Sequence, residues 1–118
     1  MPDRRRLEAY ARRRLAADET WKLIVLLWLC EAGPATAEQA VDYLTENGWC
    51  LPELMRVASC MGRLPQNTGG YVRRRAAYLG PRCHRCSYYI PPEHQPEVRE
   101  VINDALAIRT SLRQKYGG

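Results

Sequence analysis

Histidine and lysine are scarce in this sequence, and no apolar run is long. The two histidines, His84 and His94, stand among Arg and Pro in expected loops, with no carboxylate at a spacing that suggests acid–base work. There is no glycine-rich phosphate loop, no Ser-His-Asp order and no metal-hydrolase helix motif. An enzyme is therefore not expected. The continuously apolar stretch Leu23 to Cys30 falls well short of the roughly 20 residues that cross a bilayer. The basic amino end leads into an amphipathic pattern in place of an apolar run, so neither a signal peptide nor a membrane partner is expected. The chain reads as cytoplasmic.

Lysine is scarce only by contrast with arginine. Of 18 basic residues, Lys22 and Lys115 are the lysines. The arginines gather at Arg4 to Arg6, Arg12 to Arg14 and Arg73 to Arg75. A guanidinium fork meets a phosphate or a guanine edge with two parallel bonds, which an ammonium cannot do. A GC-rich genome also raises arginine over lysine, but that does not explain clustering. The formal net charge of +5 favours an anionic partner, because fixed positive charge gains free energy by displacing counterions from a polyphosphate. With 118 residues, 46% of them hydrophobic and 26% charged, the chain has one domain's worth of length and no disorder signature. Five cysteines are an odd number, so at least one is unpaired in the monomer. Buried thiols are the default in an intracellular chain.

Taken in order, residues 1–18 read as a basic amino-terminal helix. Asp3 caps it, and Leu7, Tyr10, Ala11 and Leu15 share one side. It serves either as an arm on DNA phosphates or as an ordinary packing helix. From Trp21 to Cys30 the next helix is apolar on nearly every side, which marks a central helix. Trp21 and Trp28, one heptad apart, are expected to anchor the core. Gly33-Pro34 stops it. Thr36 then opens a short helix with a capping box completed by Gln39, and Ala37, Ala40, Val41 and Leu44 repeat along one face. Asn47-Gly48 closes it. A second short helix is expected from Pro52, with Leu54, Val57, Ala58 and Met61 turned inward. That arrangement leaves Arg56, Ser59 and Arg63 together on its outer face. Gln66 to Gly70 reads as a loop, Tyr71 to Leu79 as a strand, Gly80-Pro81 as the turn region, and Cys83 to Ile90 as the returning strand. Residues 93–118 supply a carboxyl-terminal helix from about Pro96 to Tyr116, with Val98, Val101, Ala105, Ile108 and Leu112 in heptad register.

Gly70-Tyr71-Val72-Arg73-Arg74-Arg75 followed by Ser87-Tyr88-Tyr89-Ile90-Pro91 resembles the wing of winged-helix transcription regulators, the superfamily that includes MarR-, ArsR- and PadR-like repressors. The resemblance lies in the order of elements and spans roughly residues 20–92. It implies a mainly α fold with a small β-hairpin (α+β), a winged helix-turn-helix with additional amino- and carboxyl-terminal helices. It also implies binding to double-stranded DNA, with the second short helix in the major groove and the wing on the backbone or in the minor groove. A carboxyl-terminal helix after such a wing often pairs two subunits, so the resemblance implies a homodimer through this helix. Packing back onto the protein's own amino-terminal helix is the alternative.

The resulting expectation is a sequence-specific DNA-binding protein, most simply a transcription regulator. Arg56, Ser59 and Arg63 would meet base edges; Arg73, Arg74, Arg75, Arg82 and Arg85 would meet phosphates. The competing expectation is a winged-helix adaptor that docks proteins through an exposed Tyr88–Tyr89 edge and the basic arm. No cofactor is expected. Cys83 and Cys86, spaced as in a zinc knuckle, are one pair where structural zinc needs four ligands, so free thiols are the default and zinc or a disulfide the alternatives.

Overall fold

The computed structural model describes residues 2–49, 54–78 and 84–116, and the side chains of 2–49, 54–75 and 86–108. Among the described residues it is mainly helical, with five α-helices and one two-stranded antiparallel sheet.

Helix α1 spans Arg4–Ala16 and is capped by Asp3, whose carboxylate accepts from the amides of Arg5 and Arg6. Leu7, Tyr10 and Ala11 are buried on its inner side, where they pack against the carboxyl-terminal helix, the central helix and the end of the fourth helix. Two of its arginines are engaged within the protein. Arg4 reaches Glu8, Glu97 and Glu100, and Arg14 reaches Glu19. The central helix α2 spans Thr20–Ala32 and buries Leu23, Val25, Leu26, Leu29 and Cys30. Neighbours on several sides cover it, as its nearly continuous apolar surface requires. Trp21 and Trp28 do not anchor that core. Both are only partly buried, because the central positions are filled by Leu23, Leu26 and Leu29; Trp28 stacks on Tyr43 at 5.1 Å, and Trp21 faces a cleft.

Helix α3, Ala37–Glu46, carries the capping box: the Gln39 amide donates to Thr36 Oγ1 at 3.3 Å, and the Thr36 amide donates to Gln39 Oε1 at 2.9 Å. It closes at Asn47, and Gly48 follows with φ +80°. Residues 50–53, including Pro52, lie outside the described residues. Helix α4 spans Leu54–Asn67 and outruns the expected loop boundary, even though Pro65 lies within it. The helix holds past Pro65 because the buried Thr68 ties its last turn together. The Thr68 hydroxyl donates to the Leu64 carbonyl at 2.6 Å and accepts from the Val72 amide at 3.4 Å. Gly69 and Gly70 then turn the chain with positive φ. The Gly69 carbonyl accepts from the Asp3 amide at 2.9 Å, pinning the start of α1 to the end of α4.

Strands β1 (Arg73–Tyr78) and β2 (His84–Tyr89) pair antiparallel with Arg73 opposite Tyr89 and Arg75 opposite Ser87. β1 begins two residues later and β2 ends one residue earlier than the periodicity suggested, and residues 79–83, with the expected Gly80-Pro81 turn, lie outside the described residues. Tyr71, Val72 and Ile90 flank them as buried core residues. Ala35, between α2 and α3, exchanges two backbone bonds with Tyr88 at 2.8 and 3.0 Å, and so adds a one-residue bridge to the hairpin. A 3-10 turn, Pro92–His94, leads into α5, Gln95–Tyr116. Val98, Val101 and Ile102 are buried against α1 and α2, so the first heptad of α5 is spent on the protein's own core. Ile108 stays 62% exposed.

Candidate nucleic-acid interface

At 3.6 residues per turn, Val57, Met61 and Leu64 form one stripe of α4, and all three are fully buried. Arg56, Ser59 and Arg63 follow one another along an adjoining flank, and each is exposed. The opposite flank departs from expectation. Leu54, 45% exposed, and Ala58 are not buried; they border a groove shared with Thr36, Cys86 and Tyr88, because the core reaches only the Val57 stripe. Met55, 79% exposed, stands on the open face between the two flanks and was not singled out by the periodicity.

In the hairpin, Arg73, Arg74 and Arg75 are all exposed, but strand alternation divides them. Arg73 and Arg75 share a face with Tyr89 and Ser87, whereas Arg74 lies on the face of Tyr88. Tyr88 is only 7% exposed, held by the Ala35 bridge and by α4 beneath it at Gly62. It is therefore not part of an exposed tyrosine edge, and burial pushes its hydroxyl above the ordinary tyrosine range. Arg82 and Cys83 lie outside the described residues, as does the side chain of Arg85, whose backbone belongs to β2. The Cys83–Cys86 pair is thus described only at Cys86, a half-buried free thiol. Among the described residues no three His, Cys, Asp or Glu side chains gather to hold a metal. The histidines differ from expectation: His84 opens β2, and His94 sits in the 3-10 turn with its ring edge-on to Tyr71 at 5.7 Å.

The Arg56–Ser59–Arg63 flank is one wall of a cleft of about 560 Å³. The opposite wall is the corner between α1 and α2, which contributes Arg14, Trp21 and Lys22. Glu19, on the same corner, accepts from Arg14 at 2.9 Å and also pairs with Lys22. The Arg14 guanidinium lies 5.5 Å over the Tyr10 ring, and the Lys22 ammonium lies 5.5 Å over the Trp21 ring. Arg14 Nε is buried with no acceptor among the described residues. Tyr10 and Cys60 also line the cleft, and burial pushes both the hydroxyl and the thiol above their ordinary ranges. Sequence reading missed Arg14 and Lys22 as neighbours of Arg56. The one available signal was the Arg12 to Arg14 cluster, and nothing local ties it to a helix some forty residues on.

The five exposed arginines of α4 and the hairpin share one electrostatic property. Arg56, Arg63, Arg73, Arg74 and Arg75 have no carboxylate within ion-pair distance among the described residues, in contrast to Arg4 and Arg14. No helix among the described residues is long and apolar enough to cross a membrane. Compared with known proteins, the chain matches no family model, no curated protein and no solved structure.

Proposed function

We propose that the protein is a winged helix-turn-helix that binds double-stranded DNA in a sequence-specific manner and acts as a transcription regulator. The observation that carries this reading is the set of five exposed, unneutralised guanidinium groups on α4 and the hairpin. Charge left unpaired on the protein is free to replace the counterions of a polyanion. The element order supports it: α2, the Ala35 bridge, α3, α4 and the hairpin follow one another as in a winged helix. In this reading α4 lies in the major groove, where Arg56, Ser59 and Arg63 meet base edges and the exposed Met55 offers an apolar contact to a thymine methyl. Arg73, Arg74 and Arg75 meet phosphates, which adds affinity without sequence information. The protein acts as a homodimer through α5. With Val98 and Val101 already buried, that contact rests on Ala105 and Ile108.

The test is fluorescence anisotropy with labelled random-sequence duplex across a salt series. Each phosphate neutralised adds about 0.9 to the magnitude of the log-log salt slope. Changing Arg73, Arg74 and Arg75 together to Ala is expected to lower the slope by about two to three units. Arg56→Ala is expected to flatten the preference among sequences by about 1 to 3 kcal/mol, whereas Arg74→Ala weakens all sequences alike. No binding at low salt overturns the DNA reading.

A further inference from the structure

We propose that the cleft between the α1–α2 corner and α4 is a phosphate site, in which Arg14, Lys22, Arg56 and Arg63 surround the phosphate of a nucleotide unit. Four cations face this space, and the one carboxylate among its lining residues, Glu19, is already shared between Arg14 and Lys22. The excess positive charge falls to Arg56 and Arg63, which have no acidic partner among the described residues. An anion seated between the walls lowers the mutual repulsion of all four. The Arg14 fork makes the case specific. One terminal nitrogen is spent on Glu19, while Nε–H is buried with no acceptor among the described residues. The Arg14 side chain is nonetheless 26% exposed and lines the cleft, so a phosphate oxygen there meets the accessible part of its guanidinium in charge-assisted geometry, while the buried Nε stays behind it.

Size and chemistry agree with this assignment. About 560 Å³ lies in the range of pockets that bury a small ligand, roughly 300 to 1,000 Å³, so a phosphate enters together with its sugar. Trp21 offers an aromatic surface beside it. Tyr10 and Cys60 add no negative charge, because burial keeps both protonated.

Two sources carry the same group. If α4 reads DNA as proposed above, the phosphate belongs to the strand that borders the groove. Arg14 and Lys22 then hold it from the α1–α2 corner, a third DNA contact beside α4 and the hairpin, and Arg56 and Arg63 turn to it only where no base edge engages them. That source alone rests on the DNA reading; a free nucleotide needs only the cleft.

The experiment labels the full chain with 5-fluorotryptophan and follows the Trp21 fluorine resonance, assigned with Trp21→Phe, during titration with AMP and, separately, with random-sequence duplex. Arg14→Gln combined with Lys22→Gln removes two donors outside α4, and Ala17→Glu at the exposed lip adds a carboxylate without touching a buried group. The expected result is a Trp21 shift with either titrant while Trp28 stays in place, and an apparent affinity weaker by about tenfold or more in each variant. A Trp21 response to AMP with no duplex binding by anisotropy keeps the phosphate site and removes the DNA reading. A response to duplex alone, lost in the variants, keeps the site and makes the strand its source. Duplex binding by anisotropy with an unmoved Trp21 and an unchanged salt slope in the variants overturns the site and leaves the DNA reading standing. Silence toward both titrants, or a shift that Ala17→Glu leaves untouched, also overturns it.

Discussion

Placing a methyl group at Gly69 is expected to separate α1 from α4, and Gly48 provides the control. Both glycines have left-handed backbones, φ +69° and +80°. An L-residue in that region costs about 1 to 2 kcal/mol, so Gly48→Ala should lose about that much and no more, since nothing among the described residues lies within 4 Å of its new methyl. At Gly69 the methyl would stand 2.8 Å from the Asp3 carbonyl oxygen and 2.9 Å from Arg6 Cβ. Neither atom is the far end of a flexible side chain, so the amino-terminal turn of α1 must retreat. That retreat stretches the Asp3 amide bond to the Gly69 carbonyl, worth about 1 kcal/mol, and loosens the burial of Leu7. Gly69→Ala should then lose about 3 to 4 kcal/mol, roughly 2 kcal/mol more than Gly48→Ala. Urea unfolding of the two variants beside wild type measures the difference. The slopes should be equal, so that midpoints compare directly. Equal losses in the two variants would refute the argument that a close backbone approach docks α1. An extra loss in Gly69→Ala accompanied by weaker occupancy of the cleft would tie that docking to the site, because α1 carries Tyr10 and Arg14 to the cleft.

Light scattering on wild type is expected to give twice the 13.6 kDa protomer mass, and Ile108→Glu should return it to one folded protomer whose unfolding midpoint no longer depends on protein concentration, since that side chain is 62% exposed. A dimer that persists in the variant would refute the α5 contact. Alkaline pH should destabilise the fold. Burial pushes the Cys30 thiol from its ordinary 9.0 up to about 11, with Arg99 opposing. Its contribution is complete below pH 9. Between pH 9 and 11 the unfolded chain releases the proton first, so stability falls as the pH rises through that window. Urea midpoints from pH 8 to 11 should fall less steeply in Cys30→Ala, and parallel curves in the two proteins would contradict this assignment.

What was legible in the sequence is what short-range chemistry decides. Asp3 at the head of α1, the Thr36–Gln39 box of α3 and the stop at Gly48 are each settled within four residues, and each stands in the structure as read. The order of helices and hairpin follows from the same signals. Misreadings occur where a distant partner overrides the local pattern. Tyr88 alternates as an outward strand residue would, but the Ala35 bridge covers it from across the chain. Leu54 and Ala58 fit the apolar spacing of α4, but the core that could bury them ends at the Val57 stripe. Trp21 fits a core heptad and instead borders a charged cleft, because Leu23 and Leu26 already fill the centre of α2.

The arginines show why clustering in sequence is an incomplete guide to function. Arg4 to Arg6, Arg12 to Arg14 and Arg73 to Arg75 look equivalent in one dimension. In the fold, Arg4 meets Glu97 and Glu100 of α5, and Arg14 meets Glu19, so part of the amino-terminal charge is neutralised by acids that no local pattern ties to it. Those pairs around Arg4 are exposed and screened by solvent, too weak to be the reason α1 stays in place; buried Leu7 and Tyr10 do that. Their larger effect is on the field around the molecule. Pairing Arg4 and Arg14 lowers the charge of α1, although Arg5, Arg6, Arg12 and Arg13 stay exposed without an ion pair among the described residues, and leaves the α4 flank and the hairpin as the places where no described arginine is paired. An anionic partner drawn by that field is steered toward α4 and the strands beside it.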